Sequence, residues 1–290
     1  MYWRFTDDPD RYARHVLDLL SARPDANTVP LTVLDTVRSG QRFSDAPALF
    51  GWFEDGGAVT GAVSMTPPYG LLLAELPPGS EASLVSKLLE RGAEVPDVMG
   101  TVDAAGRFAC GWTAGTGLAA DVVMRHRLYT LDSLRPPAPP PAGRAQLAVL
   151  ADLDLVMKWA LRFQLEAEAS AATPQRELYR RRVELGLLWL WRDGSGEPVS
   201  MAGRTVTVAG VSRVGPVYTP PPFRRRGYAA ALTAACSQDA LDRGAHQVVL
   251  FTDLANATSN AIYQQIGYRP LADRVTISLR NPADRLTGVG

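Results

Sequence analysis

Histidine and cysteine are scarce, with three histidines and two cysteines in 290 residues. Cys110 and Cys236 stand far apart without CxxC or other metal spacing, so neither a zinc site nor a disulfide framework is expected. Cys236, inside an alanine-rich run, reads as a small packed side chain. Net charge is lacking too, because 30 basic residues balance 30 acidic ones. A protein that lives on a phosphate backbone carries a basic excess, so nucleic acid is not an expected partner. No apolar run approaches the roughly 20 residues of a membrane span. The N-terminal "MYWRFTDDPDRYARHV" holds no apolar core of a signal peptide. The expectation is a soluble cytoplasmic protein, monomer or homodimer, with no membrane partner.

Hydrophobic residues make up 46% of the chain and charged ones 21%. That is enough to bury two cores of ordinary domain size. The boundary signal is "LRPPAPPPAGR", Leu134 to Arg144, whose prolines continue neither a helix nor a central strand and make a semi-rigid connector. It divides the chain into 1–134, a linker at 135–143, and 144–290.

The two sides rhyme. "DGGAVTGAVSM" (Asp55 to Met65) corresponds to "DGSGEPVSM" (Asp193 to Met201), each preceded by an aromatic strand, "FGWFE" or "LLWLWR". "LLERGAE" corresponds to "ALDRGAH", a helix ending in Arg-Gly with glycine placed as the C-cap. "MRHRLYTL" corresponds to "RVTISL" as a closing alternating strand. Three matches in the same order favour duplication of one α/β unit.

The second copy keeps the clearer pattern. Helical period runs from Ala151 to Ala169, and a second helix opens with Thr173 as N-cap and Pro174 at its first position and closes at Gly186. Strands follow at Leu187 to Arg192, Val199 to Val208 and Ser212 to Thr219. A helix from about Gly227 to Arg243, the strand "QVVLFTD", a short helix from Thr258 to Ile266 and a final strand complete it.

"PFRRRGYAAALTAA" (Pro222 to Ala235) sits between a strand with a proline corner and a helix start. The first turn of a helix has backbone N–H groups without intrahelical partners and carries the positive end of the macrodipole. Arginines there oppose the dipole, and the arrangement makes sense when an anion occupies the turn. Alone, such a run is as readily a solvated basic face. The strand before it, the helix after it and "NATSNAIYQQIGY" (Asn256 to Tyr268) downstream shift the balance toward a phosphate-binding turn.

With those residues the second half resembles the GNAT superfamily of acyl-CoA-dependent N-acyltransferases. The family's pyrophosphate motif, Arg/Gln-x-x-Gly-x-Gly/Ala, matches Arg224, Arg225, Arg226, Gly227, Tyr228 and Ala229. Its following element matches Asn256, Asn260, Tyr263, Gly267 and Tyr268. The first half resembles the family by architecture only. The resemblance implies an α/β (α+β) fold of two tandem GNAT-like domains, each a mixed, mostly antiparallel twisted sheet flanked by helices. It implies acetyl-CoA as co-substrate, an amine acceptor, direct attack in a ternary complex, and no metal. Backbone groups of Val217, Tyr218 and Thr219 would pair with pantetheine, and N–H groups from Arg225 through Ala230 would hold the pyrophosphate. Asn256 would contact the pantetheine or orient the acyl group, and Tyr263 would lie near the sulfur.

A phenol of pKa about 10 is a suitable proton source for a thiolate leaving group. The bland alternative for Tyr263 is a packed core tyrosine. The general base stays open. The strand "SRVGPVYT" contains no carboxylate, and the candidates are Asp253, Glu166, Glu168 or a water relay. Asp253 equally suits a cap of the following turn.

The first copy keeps the proline corner in "ELPPGSEASLVSKLLERG" but not the Arg-x-x-Gly-x-Ala motif. Glu75 and Glu81 there would repel a pyrophosphate. That copy is expected to be a non-catalytic domain that walls the acceptor site. Two other readings stay open: a tandem-domain acyltransferase acting on an amino-sugar conjugate, and a CoA-binding sensor or interaction module without catalysis.

Overall fold

The computed structural model describes residues 1–167 and 173–285. Two compact units emerge, Met1–His126 with Asp273–Gly290, and Arg127–Ala272. The first contains β1 (Tyr2–Thr6), α1 (Pro9–Ser21), α2 (Thr28–Arg38), β2 (Leu49–Asp55), β3 (Ala58–Met65), β4 (Leu71–Glu75), α3 (Ser80–Glu90), β5 (Asp97–Thr101), α4 (Val102–Thr116) and the start of β6 (Ala119–Leu131). The second continues with β7 (Arg144–Leu147), α5 (Leu153–Ala167), α6 (Arg176–Glu184), β8 (Leu188–Arg192), β9 (Pro198–Arg204), β10 (Val211–Tyr218), α7 (Tyr228–Asp242), β11 (Gln247–Asp253), α8 (Ala257–Gln265) and the start of β12 (Tyr268–Arg280). Each unit runs strand, two helices, three strands, helix, strand, helix, long strand, so the duplication read from short sequence matches is an architectural one.

In the first unit β1 to β4 form an antiparallel meander and β4 pairs with β5 in parallel. In the second, β7 to β10 repeat the meander and β10 pairs with β11 in parallel. A parallel pair cannot be closed by a hairpin, so a helix crosses between its strands, α3 in one unit and α7 in the other.

The units divide elsewhere than at the proline-rich stretch. The last part of β12 pairs with β5, Arg274 opposite Thr101 through Ser278 opposite Asp97. Val275, Ile277 and Leu279, alternating on one face, bury in the core of Val98, Phe108 and Trp112. The end of β6 belongs to the second unit, where Tyr129 packs with Leu250, Tyr263 and Tyr268. Composition placed the boundary at the prolines, whereas the core that each alternating strand fills decides it.

The proline-rich segment itself lies on the second unit. Arg135 N donates to the Ile266 carbonyl at 3.0 Å, and Trp191 Nε1 donates to the Ala142 carbonyl at 3.0 Å.

Other boundaries shift as well. The strand expected to reach Val208 stops at Arg204. A tight turn at Ala209 (φ 48) and Gly210 (φ 78) then joins Val208 to Val211, which exchange hydrogen bonds of 3.0 and 2.9 Å. The helix expected from Thr173 and Pro174 begins at Arg176 with an extended Gln175 as N-cap; nothing in the structure explains the later start. It does close at Gly186, φ 64. The end of the helix expected to reach Ala169, with Glu168 on it, lies outside the described residues.

Candidate functional site

The second unit builds its site where β10 leaves β11. The two strands pair in parallel from Val211 opposite Gln247 to Val214 opposite Leu250, and there the pairing ends. On its other side β10 shifts register against β9 between Val214 and Val217, then resumes with Val217 opposite Ala202 and Tyr218 opposite Met201. The Gly215-Pro216 step sits in that shift, and a proline has no N–H to give a ladder, so it belongs at a bulge. The Gly215 carbonyl is taken by Arg182 Nη2 of α6 at 2.5 Å. Burial lowers the pKa of this guanidinium, partly offset by Tyr179 beside it. The bend therefore opens a gap between two parallel strands and is held from behind by a half-buried arginine.

At the end of β10 the Thr219 hydroxyl pairs with Ser200 at 2.8 Å. A single 3-10 turn, Pro221–Phe223, follows. Arg224 is extended, Arg225 is left-handed (φ 61) and Gly227 is left-handed (φ 81, ψ −4), forming the N-cap of α7. A non-glycine residue at positive φ costs about 1–3 kcal/mol and concentrates at binding sites. Among the described residues no side chain caps α7, and its first turn holds no acid. Among the described residues the N–H groups of Arg225 through Ala230 have no hydrogen-bond partner, and the first to be satisfied is Ala231, by the Gly227 carbonyl at 3.0 Å. Tyr228 is buried, Ala229 and Ala230 are half-buried, and Arg225 and Arg226 are exposed and unpaired among the described residues. Successive free amides at the positive end of a fifteen-residue helix are the donor arrangement that suits an anion.

Gly227 has a neighbour the sequence did not reveal. A Cβ placed on it would meet the Pro141 side chain at 3.9 Å, so the proline-rich segment runs beside the turn.

Arg224, matched to the motif's first position, points away from these amides. Its Nε donates to the Thr219 carbonyl at 2.8 Å and its Nη2 to Glu166 Oε2 of α5. Tyr218 Oη donates to Glu166 Oε1 at 2.8 Å, and the Arg224 guanidinium lies 5.9 Å from the Tyr218 ring centroid. Partial burial resists ionisation of Glu166, but the Tyr218 and Arg224 donors outweigh it and hold the carboxyl below its ordinary value. Burial, then the bond to Glu166, raises Tyr218. Glu166 is thus an ionised, doubly occupied carboxylate and a weaker base than a free one.

Beyond the gap, Asp253 ends β11 and its Oδ1 accepts from Ala255 N at 2.9 Å, capping the turn. Asn256 is the N-cap of α8, its Oδ1 accepting from Ser259 N at 2.9 Å. Asn260 does more than the motif match indicated. Its Nδ2 donates to the Asp253 carbonyl at 2.9 Å and the Asn256 carbonyl at 2.8 Å, and its Oδ1 accepts from Tyr129 Oη at 2.9 Å.

Tyr263, on α8, packs in the same core as Val214, Tyr228 and Tyr268, with Val217 against it. Its ring meets Tyr268 edge-on at 6.2 Å. Its hydroxyl has no hydrogen-bond partner among the described residues, and burial pushes it up to about 12. It is a weaker acid than the free phenol and stays protonated across the physiological range.

The first unit shows the same place filled. β4 and β5 pair only at Leu71–Val98 and Leu72–Met99 before parting. What remains there is a cavity of about 10 Å³, lined by Leu73, Met99, Asn27 and Arg274, room for one water. Gly79 (φ 88) caps α3 as Gly227 caps α7. Here, however, Glu81 Oε2 accepts from Gly79 N at 2.9 Å, and Arg107 braces Oε1 through bonds of 3.0 and 2.8 Å. Glu81 is 2% exposed. Its carboxylate occupies the N–H of the glycine that corresponds to Gly227, a specific contact where the sequence suggested only repulsion.

Residues 192–277 match the family model described as FR47-like protein. Across nearly the whole length, the structure matches solved acetyltransferases. A GCN5-related N-acetyltransferase from Sphaerobacter thermophilus aligns with a TM-score of 0.64 at 17% identity, over 97% of this chain and 96% of that one. This is a GNAT fold. A GNAT-family acetyltransferase from Colwellia psychrerythraea aligns at 0.59 and 13% identity, over 97% and 100%. A tandem GNAT protein from the clavulanic acid biosynthesis pathway aligns at 0.58 and 15%, over 97% and 99%. Among curated proteins no sequence matches. In the GNAT fold of the second unit, the parting strands and the open helix turn fall inside the stretch that the FR47-like model matches. No helix among the described residues is long and apolar enough to cross a membrane.

Sequence alone missed Arg182 and the Glu166–Tyr218–Arg224 cluster. A Gly-Pro step inside a predicted strand was the available signal for the bend. Nothing local marks Arg182.

Proposed function

We propose that the second unit is an acyltransferase that moves an acetyl group from acetyl-CoA to a primary amine of a small acceptor, by direct attack in a ternary complex. One observation carries this: a run of backbone N–H groups, from Arg225 to Ala230, unsatisfied among the described residues, at the mouth of a gap between two parted parallel strands. A diphosphate fits the amides, and an extended amide-bearing arm fits the unpaired strand edge. When bound, acetyl-CoA supplies the acyl group as a thioester. Val217 to Thr219 offer backbone to the arm, and Gly227 leaves the turn uncrowded. Tyr263 Oη, held protonated by burial, is the proton source at the thiol end of the gap. Asn256 acts in this reading as cap of α8, and through it positions Tyr263. Asp253, Glu166 and Glu168 were the protein-borne candidates for the base. Asp253 is a turn cap and Glu166 accepts from Tyr218 Oη and holds a cation on its other oxygen, which favours an acceptor amine that arrives neutral or loses its proton to water.

The first unit, with Glu81 in its turn, is the non-catalytic copy. The test is release of free CoA thiol from acetyl-CoA with a panel of small amines. Amine-dependent release supports transfer. Tight CoA binding without turnover on any amine would leave the second reading, a CoA-binding sensor or interaction module; Glu166 withdrawn from base duty is the observation that keeps it in play.

A further inference from the structure

The cluster around Glu166 already holds a cation, and that cation belongs to the residue which the anion turn would attract. Glu166 and Arg224 are 43% and 44% exposed, so both reach solvent and neither is locked in a core. The guanidinium is met by a carboxylate oxygen of Glu166, the face of Tyr218 and the carbonyl of Thr219. Tyr218 is itself backed by Trp159 at 6.4 Å between centroids and fixed by its bond to Glu166. A carboxylate and an aromatic face converging on one point form a receptor for a guanidinium or ammonium group. Arg162, one turn back on α5, adds positive potential that keeps Glu166 ionised.

Arg224 begins the turn that presents free amides at Arg225 to Ala230. A diphosphate seated there brings negative charge within reach of the Arg224 side chain. The same arrival claims the Thr219 backbone, which Arg224 Nε now occupies. Both effects would draw the guanidinium from Glu166.

We propose that Glu166 with Tyr218 forms the acceptor-recognition site for a second, positively charged group on the amine acceptor, and that Arg224 stands in for that group until acyl-CoA binds. This rests on the acyl-CoA reading above. It assigns the acceptor to a class, small molecules with a guanidinium or ammonium in addition to the reacting amine, and makes acyl-CoA the first ligand to bind.

Isothermal titration with CoA, and then with agmatine as a dicationic probe and butylamine as a monocationic control, tests it. CoA binds wild type, and Glu166→Gln tightens CoA several-fold because Arg224 no longer has to leave an ionised partner. Agmatine binds the CoA-loaded protein at least tenfold tighter than the free protein, and tenfold tighter than butylamine does. Glu166→Gln erases the agmatine preference, and Arg224→Ala removes its dependence on CoA. Agmatine that fails to bind the CoA-loaded protein, or binds Glu166→Gln equally well, overturns the proposal while CoA binding leaves the acyltransferase reading in place. Failure of wild type to bind CoA overturns both.

Discussion

Tyr263→Phe separates chemistry from packing, because the structure assigns the hydroxyl no structural work. The ring lies 8% exposed in the core and meets Tyr268 edge-on at 6.2 Å; phenylalanine keeps both contacts. The hydroxyl makes no hydrogen bond within the described residues, so its removal strands no partner. Stability should change by no more than about 0.5 kcal/mol. A positioned general acid contributes about 10²–10⁴ in rate, or about 3–5 kcal/mol of barrier. The variant should therefore keep its melting temperature and CoA affinity while kcat falls at least about a hundredfold. Because burial places the phenol at about 12, wild type should show no loss of activity from Tyr263 ionisation up to about pH 10, two decades below that value. Thermal scanning, CoA titration and kcat against pH decide it. A fall in kcat of less than threefold, or one matched by an equal loss of CoA affinity or stability, refutes the assignment.

Arg182→Met, which frees the Gly215 carbonyl behind the β10 bend, should weaken CoA binding about tenfold, the worth of one charge-assisted hydrogen bond, although Arg182 lies behind the gap; unchanged CoA affinity would count against the bend as the origin of the gap. Asn260→Ala removes bonds to Asp253, Asn256 and Tyr129, and should cost about 2–3 kcal/mol in denaturant unfolding. Glu81→Ala leaves Arg107 without its partner and the α3 turn without its carboxylate, so it should lower the melting temperature yet leave turnover per folded molecule unchanged. Glu166 titrates below its ordinary value of 4.5 when folded. Its ionised form therefore stabilises the fold above that value, and the stabilisation disappears as pH falls through the lower folded value. Stability curves of wild type and Glu166→Gln should differ at pH 7 and converge in acid; a constant offset down to pH 2 would contradict the ion pair.

Much of the second unit was legible because its signals are local. Gly227 before an alanine-rich run, Arg-Gly at 243–244 and the apolar run in "QVVLFTD" each depend on neighbours a few residues away, and each fell where expected. The duplication was legible for the same reason, as paired local signals in one order. What escaped depends on partners distant in sequence. Arg182 reaches Gly215, Arg224 turns to Glu166 rather than to its own turn, and Pro141 lies beside Gly227. The unit boundary escaped because prolines advertise a linker, whereas the apolar face of Val275, Ile277 and Leu279 decides which core the last strand completes. Glu81 was read as repelling an anion; the structure shows it accepting from the Gly79 N–H at the start of α3.

Calorimetric titration of CoA into wild type and Gly227→Val tests the central claim most directly. A Cβ at Gly227 meets nothing closer than 3.9 Å, so the fold pays only the left-handed backbone cost, about 1–2 kcal/mol. The account predicts one CoA per chain, bound about tenfold or more weaker in Gly227→Val as charge-assisted amide bonds to the diphosphate are lost, with Arg225→Ala changing affinity less. Two CoA per chain, or binding that survives Gly227→Val but is lost in Arg225→Ala, would contradict it.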